Sequence, residues 1–244
     1  MEDDGFVLVK AKRSKSKQYH CERSCADISP LKRVELSDFE IQLLHSRVQA
    51  FEKILTTSPW FSLMAEYIYK VLSDRKFDTV ELRALGMGSV SESIISRHQL
   101  AVFLQLKKYI AQFSDNIDVT AFDPIFSISD KTILQDFNIS LLEDETSLVT
   151  HEDILLIVFA IHCDKELYEM FLSKNLSKLS NVVVVGNSFT AIVDQVLPDL
   201  NEEAATLFKS IIYAQKIGSE QTLPTSLCEW PNSFNNTSIH WFPS

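Results

Sequence analysis

The sequence contains few of the residues that mark disordered, fibrous or disulfide-linked chains. Its 244 residues include only five glycines and seven prolines, and 45% of them are hydrophobic, which indicates a well-packed globular body. The four cysteines are scattered along the chain, at Cys21, Cys25, Cys163 and Cys228. We therefore expect free thiols in a reducing compartment rather than a disulfide framework.

The sequence also lacks a long apolar run. The longest, Ile154 to Ile161, is too short to span a bilayer, and no apolar segment near the start precedes a small-residue cleavage site. We therefore expect a soluble protein without membrane contact. The basic run from Lys10 to Lys17 either binds an importin or stays hydrated, so the expected location is the cytoplasm, with the nucleus as a second location.

Positive charge is scarce outside the first residues. The chain has 23 Lys and Arg residues and 33 Asp and Glu residues. Eight of the basic residues and only five of the acidic residues lie within the first 33 positions. A body this acidic repels nucleic-acid phosphates, so no direct nucleic-acid partner is expected. His20, Cys21 and Cys25 have no fourth ligand nearby with zinc-finger spacing, so we expect no metal site.

Hydrophobic periodicity divides the chain into three parts. Residues 1–33 mix charges with little that could form a core, and we expect a mobile tail. Apolar residues then recur every three or four positions, which predicts helices over 37–55, capped by Ser37 or Asp38, and over 59–72. We assign residues 34–76 to an N-terminal helical extension and residues 77–244 to an α/β domain.

The third part alternates between strand-like and helix-like segments. Strands are expected at 80–85, 117–122, 139–142, 153–161, 181–185 and 238–242. Helices are expected at 91–113, 131–137, 165–176, 189–196 and 202–217. The unbroken apolar run of the fourth strand and the valines of the fifth are typical of strands covered on both faces. The pattern predicts a doubly wound, mostly parallel, Rossmann-like sheet with helices on both faces.

Small, polar or ionisable residues follow four of these strands. Parallel strands end at one edge of a sheet, and ligands of such folds bind there, so we expect these residues to line one cleft. The ligand-binding candidates are Gly86, Gly88, Ser89, Asp123, His162, Cys163, Asp164, Gly186, Asn187 and Ser188.

The first two loops favour a nucleotide or S-adenosylmethionine as the ligand. Glycines at 86 and 88 allow a close backbone approach to phosphate, although the third glycine of the dinucleotide fingerprint is absent. Asp123 either accepts hydrogen bonds from a ribose or organises the turn with Pro124. Ser89 is either a catalytic residue or a helix cap. The cap is suggested because Ser89 and Glu92 have the spacing of a capping box.

The third loop, His162-Cys163-Asp164, has residue types suited to nucleophilic chemistry. Consecutive residues at a strand end point in different directions, however, so they form no ready-made triad. His162 is the candidate for acid–base work or ligand contact, against a structural, hydrogen-bonded histidine. Asp164 fits the N-cap of the next helix, and Cys163 fits a small buried side chain. Haem binding through His162 and Cys163 is a further alternative.

Several ordered motifs resemble the SRR-like family, which is named after "sensitivity to red light reduced". They span residues 85–89, 99–101, 122–126, 162–168 and 179–189. The stretch His-Cys-Asp-Lys-Glu-Leu-Tyr at 162–168 is the most specific, and the resemblance covers residues 77–242.

The resemblance implies a regulatory role in circadian clock-gene expression and haem biosynthesis, exerted through protein partners. It implies no reaction and no catalytic residues. The sequence is therefore compatible with two functions. One is a regulator whose cleft holds a small ligand. The other is a small-molecule enzyme, most simply a transferase that uses S-adenosylmethionine or a nucleotide.

Overall fold

Two helices precede the sheet in the computed structural model, which describes residues 35–73, 77–143, 148–151, 153–196 and 206–243. Helix α1 spans Asp38–Leu55 and α2 spans Pro59–Ser73, as the periodicity predicts. The Ser37 hydroxyl accepts a hydrogen bond from the Glu40 backbone N–H, and the Glu40 carboxylate accepts one from Ser37 N–H. This capping box fixes the start of α1.

Seven strands in the described residues form one sheet in the order β3-β2-β1-β4-β5-β7-β6. Strands β1 to β5 run parallel, and β7 lies antiparallel to both β5 and β6. The strands are β1 Thr79–Leu85, β2 Ile117–Phe122, β3 Ser140–Leu141, β4 Ile154–Ala160, β5 Val182–Asn187, β6 Ser219–Thr222 and β7 Thr237–Trp241. The predicted mostly parallel sheet is confirmed.

The other helices described connect these strands. They are α3 Ile94–Ile110, α4 Ile128–Asp136, α5 Lys165–Asn175, α6 Phe189–Val196 and α7 Lys209–Ile217. Short 3-10 helices cover Leu176–Asn181, Thr225–Leu227 and Pro231–Ser233.

Helices cover both faces of the sheet, because alternate side chains of the central strands point to opposite sides. Leu155, Ile157 and Phe159 of β4 join a core that includes residues of α1, α2, α3 and α4. Leu156 and Val158 of the same strand join a second core with α5, α6 and α7. The doubly wound, Rossmann-like α/β class is thus confirmed.

Four segments differ most from the expectation. Strand β5 continues through Gly186 and Asn187, which we expected to follow it. Helix α3 begins at Ile94, because Ser93 accepts a hydrogen bond from Ser96 N–H and caps it. Helix α4 begins three residues early, because Ser127 and Asp130 form a capping box. Strand β6 was not predicted at all, since its four residues are polar or exposed.

Helices α1 and α2 pack onto the same body as the sheet. Residues 35–244 form one compact unit, and Val48, Leu55, Trp60 and Met64 are almost completely buried in the first core. The expected tail, with its basic run and its His20, Cys21 and Cys25, lies outside the described residues, as does the start of the helix expected at 202–217. Among the described helices, none combines the length and apolar character required to cross a bilayer.

Candidate functional site

The direction of winding reverses between β1 and β4. From β1 the chain adds β2 and β3 on one side, and it then crosses to β4 and β5 on the other. A crevice forms at such a switch point, beyond the carboxyl ends of the strands. We call the loops that follow β1, β2 and β4, together with the last residue of β5 and the residue after it, the switch-point rim: residues 86–93, 123–127, 161–164 and 187–188.

Hydrogen bonds join the loops after β1 and β2. Asp123 accepts one from Gly88 N–H at Oδ2, at 2.7 Å, and one from Ile125 N–H at Oδ1, at 3.0 Å. The second bond is the turn predicted with Pro124. The first places the carboxylate against the glycine turn itself. Gly86 and Gly88 both have positive φ, 62° and 77°, which favours glycine.

Cys163 links the loop after β4 to the end of β1. Its thiol lies 3.2 Å from the Leu85 carbonyl oxygen, to which it donates. A Cβ on Gly86 would lie only 2.6 Å from Sγ, so the close approach of the two loops requires glycine there. Burial raises the pKa of the Cys163 thiol to about 12, with help from the Asp123 and Asp164 carboxylates. The thiolate needed for nucleophilic attack is therefore scarce at neutral pH.

Asn187, at the end of β5, holds the loop after β4. Its Oδ1 accepts a hydrogen bond from His162 N–H at 2.8 Å, and its Nδ2 donates to the Cys163 carbonyl at 3.0 Å. His162 has a left-handed backbone, with φ of 60°, and is exposed. Asp164 stands at the N-cap position of α5 as predicted, but its side chain makes no capping hydrogen bond.

Tyr168 was missed by the sequence reasoning. Its buried hydroxyl donates to the Ala160 carbonyl and accepts from Asn187 N–H, the latter at 2.7 Å. A Cβ on Gly186 would lie 2.5 Å from this hydroxyl oxygen, which explains the glycine. Burial raises the pKa of Tyr168 well above its usual value. No sequence signal shows that a tyrosine on the following helix reaches back between two strands.

Ser89 belongs to a turn and not to a helix cap, which corrects the capping-box expectation. Its hydroxyl accepts from Glu92 N–H and donates to Asp130 Oδ1, at 3.3 and 3.1 Å, whereas Ser93 caps α3. Asp130, also missed, accepts from Ser91 N–H at 2.7 Å. Hydrogen bonds from Ser91 and Ser127 lower the pKa of Asp130 against the opposing effect of burial.

Ser188 begins α6 beside a buried histidine. Its hydroxyl accepts from Ala191 N–H at 3.0 Å. His240 on β7 stacks on Phe189 with ring centroids 3.8 Å apart, and its Nε2 lies 3.0 Å from the Asn187 carbonyl oxygen. Burial lowers the pKa of His240 to about 4, although the Glu220 carboxylate opposes this shift.

The structure thus brings the four loops together along one edge. Asp123 joins the first two loops, Cys163 contacts the first from the third, and Asn187 joins the third to the fourth. Their ligand-binding role stays a prediction. Among the described residues, no group of three or more His, Cys, Asp or Glu side chains is arranged to hold a metal ion.

The sheet and its switch-point rim define a doubly wound, Rossmann-like α/β protein. Within that class the chain belongs to the SRR1 domain family, whose model matches residues 42–241.

The sequence is similar to Protein SENSITIVITY TO RED LIGHT REDUCED 1 of Arabidopsis thaliana, with 30% identity over 161 residues. The match covers 65% of this chain and 57% of that protein, so the chain spans little more than half of its relative.

Two solved structures of the plantazolicin methyltransferase BpumL, with desmethylPZN analogs and SAH, are weakly similar. Both have a TM-score of 0.37, and the matches cover 83% of this chain. The first is 13% identical in sequence and is covered over 87% of its own length. The second is 14% identical and is covered over 95% of its length.

Proposed function

We propose that this chain is a regulatory protein that binds a small ligand at the switch-point rim and acts through protein partners. In this proposal it influences circadian clock-gene expression and haem biosynthesis, and it works in the cytoplasm and the nucleus. Membership of the SRR1 domain family and similarity to a plant protein named for its light response support the regulatory part.

Binding is favoured over nucleophilic catalysis because the two nucleophile candidates at the rim, Cys163 and Ser89, are engaged in the fold. The Cys163 thiol is protonated at neutral pH and directed at the Leu85 carbonyl. A protonated thiol is also a poor ligand for haem iron. The Ser89 hydroxyl is held in the turn with Asp130, and no histidine is among its hydrogen-bond partners.

The observation that carries the ligand proposal is the contact between Asp123 and the glycine turn. The carboxylate lies 2.7 Å from Gly88 N–H at the point where winding reverses, and both of its oxygens keep further acceptor capacity. A carboxylate after the second strand of a doubly wound sheet suits ribose hydroxyls. The ligand class is therefore an adenosine compound, either a nucleotide or S-adenosylmethionine.

Calorimetric titration of the full chain with S-adenosylhomocysteine and with ATP tests this ligand. Asp123→Ala should weaken binding at least tenfold, because hydrogen bonds to a charged group contribute about 1.5–3 kcal/mol. Asp118→Ala is the matched control, since Asp118 is an exposed carboxylate on β2, the strand that Asp123 follows. Equal affinity in the two variants, or no binding of either compound to the wild type, would exclude the proposed site.

The regulatory part needs a separate test in cells that lack the protein. Re-expression of the wild type should restore the rhythm of a clock reporter and the normal haem content. Re-expressed Asp123→Ala should fail in both, whereas Asp118→Ala should succeed. Full rescue by Asp123→Ala would show that regulation does not require the rim.

The second candidate is a transferase that uses S-adenosylmethionine. One observation favours it: the His162 ring is exposed on the same rim as Asp123, where it can act as a base toward an acceptor substrate. In this case the purified protein should convert S-adenosylmethionine to S-adenosylhomocysteine when supplied with cell extract, and His162→Gln should slow turnover while leaving cofactor affinity unchanged. Binding of S-adenosylmethionine without its conversion would support the regulatory function instead.

A further inference from the structure

A cavity lies at the opposite end of the sheet from the switch-point rim. Its volume is about 260 Å³, which exceeds the ~150 Å³ of a cavity known to hold a benzene ring. Val80 and Leu155, which are paired in register at the starts of β1 and β4, form part of its lining. The switch-point rim follows the other ends of the same two strands.

The inner part of the cavity is apolar. Val80, Ile110 and Leu155 are buried there, and Leu72 and Phe77 add partly buried apolar side chains. None of the described residues that line the cavity is charged. Such walls favour an apolar or aromatic molecule, which is driven in by removal of its surface from water.

Two aromatic rings also line the cavity and remain open to solvent. Tyr69 is 46% exposed and Phe113 is 47% exposed, and their ring centroids lie 5.3 Å apart. Exposed aromatic faces attract cations within about 6 Å through the ring quadrupole. The open side of the cavity therefore favours a positively charged group.

The polar part of the lining comes from Ser73, Ser114 and the Tyr69 hydroxyl. Helices α2 and α3 both direct their carboxyl ends to this cavity, where the helix dipole is negative. The hydroxyls of Ser73 and Ser114 donate to the carbonyls of Lys70 and Asn116. Their oxygen lone pairs are thus left to accept hydrogen bonds from a ligand.

Lysines in the last turns of these helices are paired elsewhere. Lys70 forms an ion pair with Glu66, and Lys108 forms one with Glu52, both at 2.7 Å. Lys107 donates to the carbonyls of Phe137 and Asn138. Within the part of the chain that the structure describes, these lysines therefore leave the acceptors at the cavity available.

From these features we infer that the cavity binds a small arylalkyl amine in its protonated form. The aromatic group occupies the apolar part, and the ammonium group lies near the rings of Tyr69 and Phe113 and the two helix carboxyl ends. This site does not depend on the ligand proposed for the rim.

Calorimetric titration of the full chain with phenethylamine at pH 7 tests this inference, with 3-phenylpropionate as the matched anion. The two probes share a ring and a two-carbon linker and differ in the sign of their charge. We expect phenethylamine to bind with 1:1 stoichiometry and at least tenfold more tightly, because cation–π attraction and the helix dipoles act together. Equal binding of the two probes, or binding of neither, would overturn the inference.

Two variants locate the bound amine. Leu72→Trp should fill the cavity and reduce phenethylamine affinity at least tenfold, whereas Leu176→Trp, at a position 38% exposed on another segment, should leave it unchanged. Phe113→Leu keeps an apolar side chain but removes a ring, so it should reduce the preference for the amine severalfold. Phe39→Leu, on exposed α1 surface, is its control. If Leu72→Trp does not fold, the Phe113→Leu result decides, and an unchanged preference overturns the site.

Discussion

Single residues determine how closely the loops of the rim approach each other. Gly86 leaves room for the Cys163 sulfur, and Gly186 leaves room for the Tyr168 hydroxyl. In each pair, a residue without a side chain faces a polar group that bonds to the backbone of a neighbouring strand. The two pairs therefore fix the loop after β4 against its neighbours on both sides.

Gly86→Ala should destabilise the fold for two separable reasons. The residue has φ of 62°, which costs a non-glycine residue about 1–2 kcal/mol, and its new Cβ would lie 2.6 Å from Cys163 Sγ. We expect a total loss of about 2–4 kcal/mol in the free energy of unfolding, measured by urea denaturation. In a Cys163→Ala background the steric part disappears, so the same change should cost only about 1–2 kcal/mol.

A double-mutant cycle makes this comparison, because each single variant is measured beside the pair. If Gly86→Ala costs the same with and without the thiol, the contact with Cys163 does not matter. The backbone conformation alone would then explain the glycine.

The rim residues that end strands are predictable from the sequence, whereas those that reach the rim from helices are not. Asp123 and Asn187 lie where apolar runs end, so their position at the edge is a consequence of strand direction. Tyr168 and Asp130 lie on α5 and α4, and their hydrogen bonds to the rim depend on how each helix packs. Helical periodicity specifies which face is buried but not which backbone group a hydroxyl meets.

At the scale of elements, apolar patterns predicted the positions of helices and strands, whereas a short polar segment did not reveal its strand. Strand β2 and helix α6 match their predicted bounds, because apolar residues recur through both sequences. Strand β6 is four residues long and lies at the edge of the sheet, so its sequence Ser-Glu-Gln-Thr carries no burial pattern. Its position is determined by pairing with β7, which is a contact distant along the chain.

A buried histidine on α3, His98, packs against α1 and the segment at 230–233 and makes the stability of the fold depend on pH. His98 stacks on Trp230 with centroids 4.3 Å apart and bonds to the Ser233 hydroxyl through Nδ1. Burial, together with the Arg97 charge, lowers the pKa of His98 from 6.5 to about 4. Between these values the unfolded chain binds a proton that the native protein does not, so the free energy of unfolding falls as pH falls.

His98→Phe should remove this contribution while keeping the stacked ring. Between pH 6.5 and 4.5, the fall in the free energy of unfolding should be smaller than in the wild type by about 2 kcal/mol, from the ~1.4 kcal/mol per pH unit of linkage. Urea denaturation at a series of pH values measures it. Ser233→Ala keeps the histidine and should keep the slope. A slope unchanged by His98→Phe would show that His98 does not titrate in this way.

At the scale of the whole molecule, the question is whether α1 and α2 unfold with the sheet. Side chains from both helices lie in the same core as β1 and β4, and residues 35–244 form one compact unit. A core that is continuous across elements favours one cooperative transition. The alternative, expected of a separate extension, is an early loss of helix with the sheet intact.

Leu55→Ala distinguishes the two cases. Leu55 ends α1 with 1% of its surface exposed, so truncation should cost about 2–5 kcal/mol through lost burial and the cavity left behind. Circular dichroism at 222 nm and tryptophan fluorescence should shift together, because one transition is expected to unfold the helices and the sheet. Ile54→Ala, at a neighbouring position 44% exposed, should cost much less. If the two probes separate in Leu55→Ala, α1 and α2 are a unit of their own.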